Sequence, residues 1–497
     1  MSAYNFETPS RQSAKGIIVI FGVTAYRIIK ATIIIIAAFF IKYVRSDKSI
    51  EFTSPKFILS AIGIVLLFLV IALLKYLNFK FYINNDYFFL RKGIINKEEI
   101  SVAKGKIQNV YVKQNVLQQI INVVSLSIET AGDDSTEIEI LALSKSKAEA
   151  LKSQLMVLNN AANKDVQIIE EEKIYFKASI KRLLLEGVSE NHLKSFVLIF
   201  AFIMSIYNDV REFVNQLNLT SKFGSWFDLD SESFMSFILF NITIVIALLV
   251  ISFFFSMIKM FVQNFNLMVK RNSEGLEISK GLLNKINLSL YESRIQNTTI
   301  TTNRLKQTFG LYKLAFTQAM ANKKQQLNFN IVGLGKAQIT ELLEQFYPNA
   351  QERLIKHKPN VYLMYRMFFL SSFVVFLLNM AFFFGPKQLF FINVPLLFFI
   401  VTNAIYTYKK AYYHLDDDYI VVGGGRLIDT TTNFLEISKV QAVSLDQTLF
   451  QKRRGLASIK IFSASKPLAI LHIDLSTANT IKNYLLFKVE SEDKDWM

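Results

Sequence analysis

The feature that most limits what this chain can fold into is a short motif that occurs three times. It reads Lys106-Ile107-Gln108-Asn109-Val110, then Arg294-Ile295-Gln296-Asn297-Thr298, then Lys439-Val440-Gln441-Ala442-Val443. The likeness extends without a gap on both sides. Downstream of the central aliphatic, each copy carries an apolar residue (Leu117, Leu305, Phe450) and then a turn-forming one (Asn122, Gly310, Gly455). A segment of alternating character follows, such as Val124-Ser125-Leu126-Ser127-Ile128, and alternation of period two marks a half-buried strand. Upstream, a glycine (Gly93, Gly281, Gly425) interrupts a strand-turn-strand pattern. The chain is thus read as three copies of one unit of roughly 80 residues.

In the first copy the opening hairpin turns at Asn84-Asn85-Asp86, residue types that bond their own backbone and tolerate left-handed dihedrals. The copy ends in a predicted helix that begins within Ser144-Lys145-Ser146-Lys147, with Ser146 three positions before Glu149 as its cap and Ala148, Leu151 and Leu155 on its apolar side. Strands closed by one helix suit a small barrel or sandwich plugged at one end.

Between the copies the chain is unusually apolar. Of 497 residues, 52% are hydrophobic and only 19% charged, against about 25% charged in an ordinary globular chain. The excess collects in six runs, at residues 16–41, 57–74, 193–207, 234–258, 361–384 and 389–408, and a bilayer requires about 20 such residues. In the first run, which holds Arg27 and Lys30, either the span begins near Ile28 with Lys30 snorkelling to the surface or, as favoured here, the segment before it lies along the interface as an amphipathic helix. The runs pair into hairpins that alternate with the repeats. The expected domains are transmembrane hairpin 1 (15–78), repeat domain 1 (79–157), a linker (158–191), hairpin 2 (192–262), domain 2 (263–346), hairpin 3 (347–408) and domain 3 (409–489).

Charge sets the expected topology. The loop of the second hairpin holds Asp209, Glu212, Asp228, Asp230 and Glu232, whereas Lys181, Arg182, Lys194, Lys259, Lys270 and Arg271 flank the opposite ends. Basic flanks stay in the cytoplasm, which places the repeats and both termini there, in a multi-pass protein of the bacterial inner membrane. The net charge of +16 is largely of this origin. No basic helix or stacking motif supports a nucleic-acid partner.

Chemistry-bearing patterns are sparse. There is no cysteine, and the four histidines (His192, His357, His414, His472) are scattered, so neither thiolate chemistry nor a metal site is expected. Asp416-Asp417-Asp418 aligns with the first hairpin turn. Gly423-Gly424-Gly425 and Gly333-Leu334-Gly335-Lys336 are read as turns, since neither completes a phosphate loop. The apolar runs carry no acidic residue in their interiors, which disfavours a proton-coupled transporter; Asn241, Asn379, Asn393 and Asn403 are expected to bond between helices. No catalytic residue and no cofactor are expected. Two sets stand out: Gln108, Gln296 and Gln441, read as a hydrogen bond fixing a strand end or turn, and Lys452-Arg453-Arg454, the densest basic cluster in the repeats and a candidate contact for anionic lipid headgroups or a partner.

The Ile-Gln-Asn motif, the strand ending Ser127-Ile128-Glu129-Thr130-Ala131-Gly132 and the segment Leu185-Glu186-Gly187-Val188-Ser189 resemble the YdbS/YdbT-like bacterial membrane proteins. Their soluble part is a pleckstrin-homology-like (PH-like) domain of the bacterial type 2 form. The resemblance spans essentially the whole chain, is most specific in the first repeat, and departs at Gln441-Ala442 and the triple glycine of the third. It implies split β-barrels, each capped by one C-terminal helix, and implies no enzyme. The expected fold is therefore a membrane α + β chain: six transmembrane helices in three hairpins, each followed by a PH-like split barrel. The expected function is a non-catalytic interaction platform at the cytoplasmic face, binding a protein partner, another copy of itself or the anionic lipid surface of the bilayer. The alternative is an accessory role in export, envelope stress or resistance to membrane-active compounds.

Overall fold

The turn residues set the strand boundaries. In the first repeat, β1 (Lys80–Asn84) reverses at Asn85, which has φ of 50°, into β2 (Tyr87–Lys92). Gly93, at φ 110°, then turns the chain into β3 (Glu98–Ala103), and a Cβ there would run into the carbonyl oxygen of Asn96. Next come β4 (Ile107–Gln114), the single-turn helix α3 (Val116–Ile120), β5 (Val124–Thr130), β6 (Ile138–Leu143) and the closing helix α4 (Lys145–Met156). Phe81, Phe88, Leu90, Leu126, Ile128 and Ile140 pack with Ala148, Leu151 and Leu155 of α4 in one core. The cap of α4 is Ser144, whose Oγ accepts from the Lys147 N–H at 3.3 Å, rather than Ser146. A cap has to precede the first helical residue, and Ser146 already lies inside the helix.

The computed structural model describes residues 4–44, 54–130, 138–156, 173–216, 234–272, 275–318, 329–348, 354–382 and 393–491. After β7 (Lys173–Lys177) and the linker helix α5 (Ile180–Val188), the same order recurs. The second repeat holds β8 (Met268–Asn272), β9 (Gly275–Lys280), β10 (Lys285–Tyr291), β11 (Ile295–Thr302), α8 (Arg304–Thr308), β12 (Tyr312–Gln318), β13 (Phe329–Leu334) and α9 (Lys336–Phe346). The third holds β14 (Tyr412–Leu415), β15 (Tyr419–Gly425), β16 (Thr430–Glu436), β17 (Ala442–Asp446), α12 (Leu449–Lys452), β18 (Leu456–Phe462), β19 (Leu468–Asp474) and α13 (Leu475–Ser491). Gly333 and Gly335 flank the passage from β13 into α9, as a turn requires. The triple glycine differs from its expected role: Gly423 and Gly424 are strand residues of β15, and Gly423 lies directly against the Tyr412 ring, where any Cβ would collide. Only Gly425, at φ 148°, turns.

Six further helices occupy the places of the six apolar runs: α1 (Gly16–Val44), α2 (Pro55–Asn78), α6 (His192–Gln216), α7 (Phe234–Asn264), α10 (Tyr362–Phe382) and α11 (Asn393–Lys410). Among the described residues, Pro55–Asn78 and Ile242–Asn264 are long and apolar enough to cross a bilayer, and shorter apolar stretches cover Gly16–Ile28, His192–Ile203 and Tyr362–Leu377. Two expectations change. The first run is one continuous helix rather than an interfacial helix followed by a span; Val19 packs with Val123 and Ala142, so this segment is anchored on the first repeat. Asp209 and Glu212 belong to α6, not to a loop, while 217–233 lie outside the described residues. Asn379 and Asn393 do bond across the third hairpin, each amide donating to the other at 2.8 and 2.7 Å. Asn403 instead accepts from the Leu427 N–H of a repeat loop, and the side chain of Asn241 lies outside the described residues.

The chain divides into two compact units, one built on Met1–Lys173 with Lys270–Ser289, the other on Ile174–Val269, Leu290–Ala319 and Gln326–Met497. The cut runs through the second repeat because the sheets do not respect repeat boundaries. In the first unit, β4 pairs antiparallel with β10, Gln114 opposite Lys285 and Val112 opposite Asn287. In the second, β11 pairs with β16, Thr302 opposite Thr430 through Thr298 opposite Phe434. Each repeat is therefore split: its first three strands finish the sheet of the repeat before, and its last three begin the sheet of the repeat after. β1-β2-β3 and β17-β18-β19 remain as three-stranded sheets at the two ends of the series.

Replacing Gly93 by Ala forces a left-handed residue against a backbone carbonyl and is expected to cost about 1–3 kcal/mol. Gly105→Ala, where a Cβ meets nothing within 4 Å, is expected to stay within about 0.5 kcal/mol. Thermal unfolding of the two variants in detergent tests the contrast.

Candidate functional site

The fourth strand of each repeat runs into a single-turn helix, and the three helices are built alike. Asn115, Asn303 and Thr448 cap them, each accepting from the N–H three residues on. In the first and third copies that residue is a glutamine, Gln118 or Gln451, whose side chain bonds back to complete a capping box. The turns end at Asn122, Gly310 and Gly455, all left-handed, with φ of 57°, 65° and 64°. These are the turn-forming positions singled out in the sequence.

Within each tip the third helical residue is buried and its neighbours are not. Gln118, Lys306 and Gln451 are enclosed. Beside them Val116, Leu117 and Ile120, then Leu305 and Phe309, then Leu449 and Phe450 are exposed; Leu449 and Phe450 show 80% and 69% of their surface. The expected basic residues Lys452, Arg453 and Arg454 follow immediately and are exposed as well. Each tip is thus an apolar protrusion held by a buried polar anchor.

The anchors find different partners. Gln118 Nε2 donates to the Leu141 carbonyl at 2.8 Å. Lys306 Nζ donates to Glu186 at 2.5 Å and to Glu190 at 2.9 Å. Glu186 belongs to the Leu185–Ser189 segment and is fully enclosed, so burial pushes its carboxyl above the usual range against the pull of Lys306. Burial opposes the charge on Lys306 too, but the two carboxylates outweigh it and raise its pKa. The segment also supplies the Ser189 carbonyl, which accepts from Asn303 Nδ2 at 2.7 Å, and Gly187, where a Cβ would sit 3.0 Å from the Met257 side chain of α7.

The third anchor leads to a histidine. Nδ1 of His472 lies 2.8 Å from the Gln451 side-chain amide, and Arg366 of α10 donates to Nε2 at 3.0 Å. The Tyr362 ring meets the imidazole edge-on, and Arg454 lies over the other part of the cluster, 4.6 Å from the Tyr362 centroid. Burial, reinforced by the Arg366 charge, lowers the His472 pKa to about 4. The remaining histidines stand apart: His192 bonds Ser256 and the Val188 carbonyl, His414 the Ile355 carbonyl, and His357 stacks on Tyr413.

Each tip lies beside hairpin helices of its own unit. Leu117 contacts the α1 backbone at Gly22 closely enough that a Cβ there would sit 3.5 Å away. Arg304 donates to the Tyr406 hydroxyl of α11 at 2.6 Å. Arg454 covers Tyr362, the first residue of α10.

Of the repeated glutamines, Gln296 makes the expected side-chain hydrogen bond at a strand end, and the motif also marks a β-bulge. The β4–β5 register shifts between Ile107 and Asn109, and the β11–β12 register between Ile295 and Asn297. Gln108 and Gln296 are the extra residues of β-bulges, which bend a strand at a barrel corner. Gln296 is buried and accepts from the Ala464 N–H at 3.3 Å, whereas Gln441 is exposed just ahead of β17 and pairs through its backbone with Phe462. The side chain of Gln108 lies outside the described residues. Sequence reading missed Lys306, Glu186, His472 and Arg366, although aligning Lys306 with Gln118 and Gln451 shows one charged residue among three otherwise neutral positions.

Lys306→Met would strand Glu186 without its partner and is expected to cost about 3–5 kcal/mol, most of it recovered when Glu186→Gln is added; thermal unfolding of single and double variants reads this. For His472, the unfolded ring binds a proton near pH 6.5 and the folded ring only near 4. Stability is therefore expected to fall as pH drops from 6.5 towards 4. His472→Asn, which tolerates the left-handed φ of 53°, should flatten that part of a plot of Tm against pH.

Comparison with known proteins agrees with this architecture. The sequence is 23% identical over 450 residues to the transmembrane protein YdbT of Bacillus subtilis (strain 168), covering 86% of this chain and 87% of that one. The bacterial PH domain model matches three regions, residues 18–158, 232–350 and 368–488. With most of its length matched, each match holding one copy of the motif, this chain belongs to the bacterial PH domain family.

Proposed function

We propose that this is a non-catalytic membrane platform with six spans in three hairpins, whose PH-like domains lie on the cytoplasmic side of the inner membrane and touch the anionic leaflet with their tips. One observation carries the reading: in each repeat the tip that bears exposed apolar residues touches a hairpin helix, through Leu117, Arg304 or Arg454. Apolar side chains left in water at such a place gain by entering the headgroup boundary, and adjacent Lys or Arg adds about 1 kcal/mol each near an anionic surface. The third tip is the best equipped, with Leu449 and Phe450 followed by Lys452, Arg453 and Arg454. The domain boundaries of this platform follow the alternation of hairpins and repeats.

Because the chain has no cysteine, Phe450→Cys can carry one environment-sensitive dye in the full protein reconstituted into nanodiscs. The expected result is blue-shifted emission in discs containing anionic lipid, and a reduced shift in neutral discs or when Lys452, Arg453 and Arg454 are all Ala. Emission typical of water in every disc would overturn the reading.

A further inference from the structure

The two internal joints between repeats are the same joint. In each, the fourth strand of one repeat pairs with the third strand of the next, and the register is equivalent. Gln114 opposite Lys285 and Thr302 opposite Thr430 hold corresponding positions relative to the motif. A tip contact accompanies the first joint: Gln119 Nε2 donates to the carbonyls of Leu282 and Leu283, in the loop just after Gly281, at 3.0 and 2.9 Å.

The series leaves one edge of each kind over. Among the described residues, β17 is a fourth strand paired only with β18, and β3 is a third strand paired only with β2. Unpaired strand edges present rows of N–H and C=O groups that template another strand. The β17 edge is short and largely neutral, Ala442-Val443-Ser444-Leu445, with Asp446 already bridged to Lys460. On β3, Glu98 and Glu99 are likewise paired, with Lys92 at 3.3 Å and Arg91 at 2.9 Å. The loop after Gly93 carries Ile95, 98% exposed, at the position of Leu283. Lys452 stands at the position of Gln119.

We infer that β17 of one copy pairs antiparallel with β3 of a second copy, in the register of the internal joints, so that chains join head to tail. That register sets Gln447 opposite Lys97, Leu445 opposite Glu99, Ser444 opposite Ile100 and Val443 opposite Ser101. It brings Lys452 to the carbonyls of Ile94 and Ile95. The contact is heterologous, closing into a ring or continuing as a file according to the rotation per copy. The inference rests on the platform reading and shares only Lys452 with its lipid contacts.

The test uses the full cysteine-free protein in detergent without lipid. Ser444→Cys and Ile100→Cys chains are mixed and oxidised, with Thr299→Cys/Asn433→Cys in one chain as the internal control, since those residues are opposed in the β11–β16 joint. A covalent dimer is expected from the mixture, and much less from Ser444→Cys mixed with Ser101→Cys, because a one-residue slip turns the side chains to opposite faces. Glu98→Thr/Glu99→Thr, which copies Thr431-Thr432 of the third repeat, should raise the yield severalfold, and Lys452→Ala should lower it. Dimers from Ser444→Cys alone, equal yields from both mixtures, or no dimer while the control closes would each overturn the inference. A link found only within a chain carrying both cysteines would do so too. Loss of this crosslink with the lipid-dependent fluorescence intact would refute the joint and leave the platform standing.

Discussion

Everything in this chain depends on where the backbone hydrogen bonds at a strand edge go. A three-stranded half-barrel has an outer strand whose amide groups must be satisfied by something. Here the next repeat satisfies them: β10 completes the sheet of β4, and β16 completes the sheet of β11. The first strand of each repeat is covered from within the chain as well. Ser10 bridges to Phe81 of β1, His357 bridges to Tyr413 of β14, and the Ala178 N–H reaches the Leu267 carbonyl beside β8. The segment leading into each hairpin thereby bonds to the first strand of the domain that follows it.

How much of this the sequence reveals depends on whether the determinant is local. Asn85, Gly93, Gly281, Gly425, Asn122, Gly310 and Gly455 all take left-handed φ, and residues chosen for a backbone dihedral announce themselves at fixed positions in every copy. The core side of α4 is equally legible, because Ala148, Leu151 and Leu155 recur at helical spacing. What stays hidden is pairwise. A bulge is a mismatch between two strands, so Gln108 looks like any strand residue until Asn109 is seen opposite Glu129. The bond between Lys306 and Glu186 joins residues more than a hundred positions apart, and neither has an unusual neighbour in sequence. Gly423 failed as a turn for the same reason: the Tyr412 ring that requires a glycine there comes from the adjoining strand. The Lys452–Arg454 cluster was visible as charge, but the apolar tip that gives it direction emerged only when Gln451 was found buried and Phe450 exposed.

The three anchors show one architectural problem solved with different chemistry. A residue at the third position of a capped single turn points inward, so a polar side chain there must be satisfied without water. Glutamine does this with local acceptors, as Gln118 does with the Leu141 carbonyl. Lysine requires a carboxylate, and the second repeat takes it from the linker that precedes α6. That exchange converts a contact within a domain into a tie between the tip and the segment entering the second hairpin. A buried ion pair is a poor source of net stability, since desolvation offsets most of the attraction, but it tolerates no other arrangement of its partners. Its value at this place is to fix geometry.

The third repeat reaches the same end by another route. Lys410, the last residue of α11, donates to the carbonyls of Arg426 and Asp429 at 2.6 and 3.0 Å, gripping the turn between β15 and β16. Arg366, one turn into α10, grips His472 in β19. Both helices of the hairpin are therefore fastened to the domain, one to each half of its split barrel. A rigid rotation of either helix cannot leave the domain unchanged, because each fastening involves a buried or multiply bonded group. A protein that only needed an anchor could hang its domain from one flexible linker. In the third hairpin the two fastenings join the domain to both helices, and the one through His472 and Gln451 reaches the tip where Phe450 and the basic cluster lie.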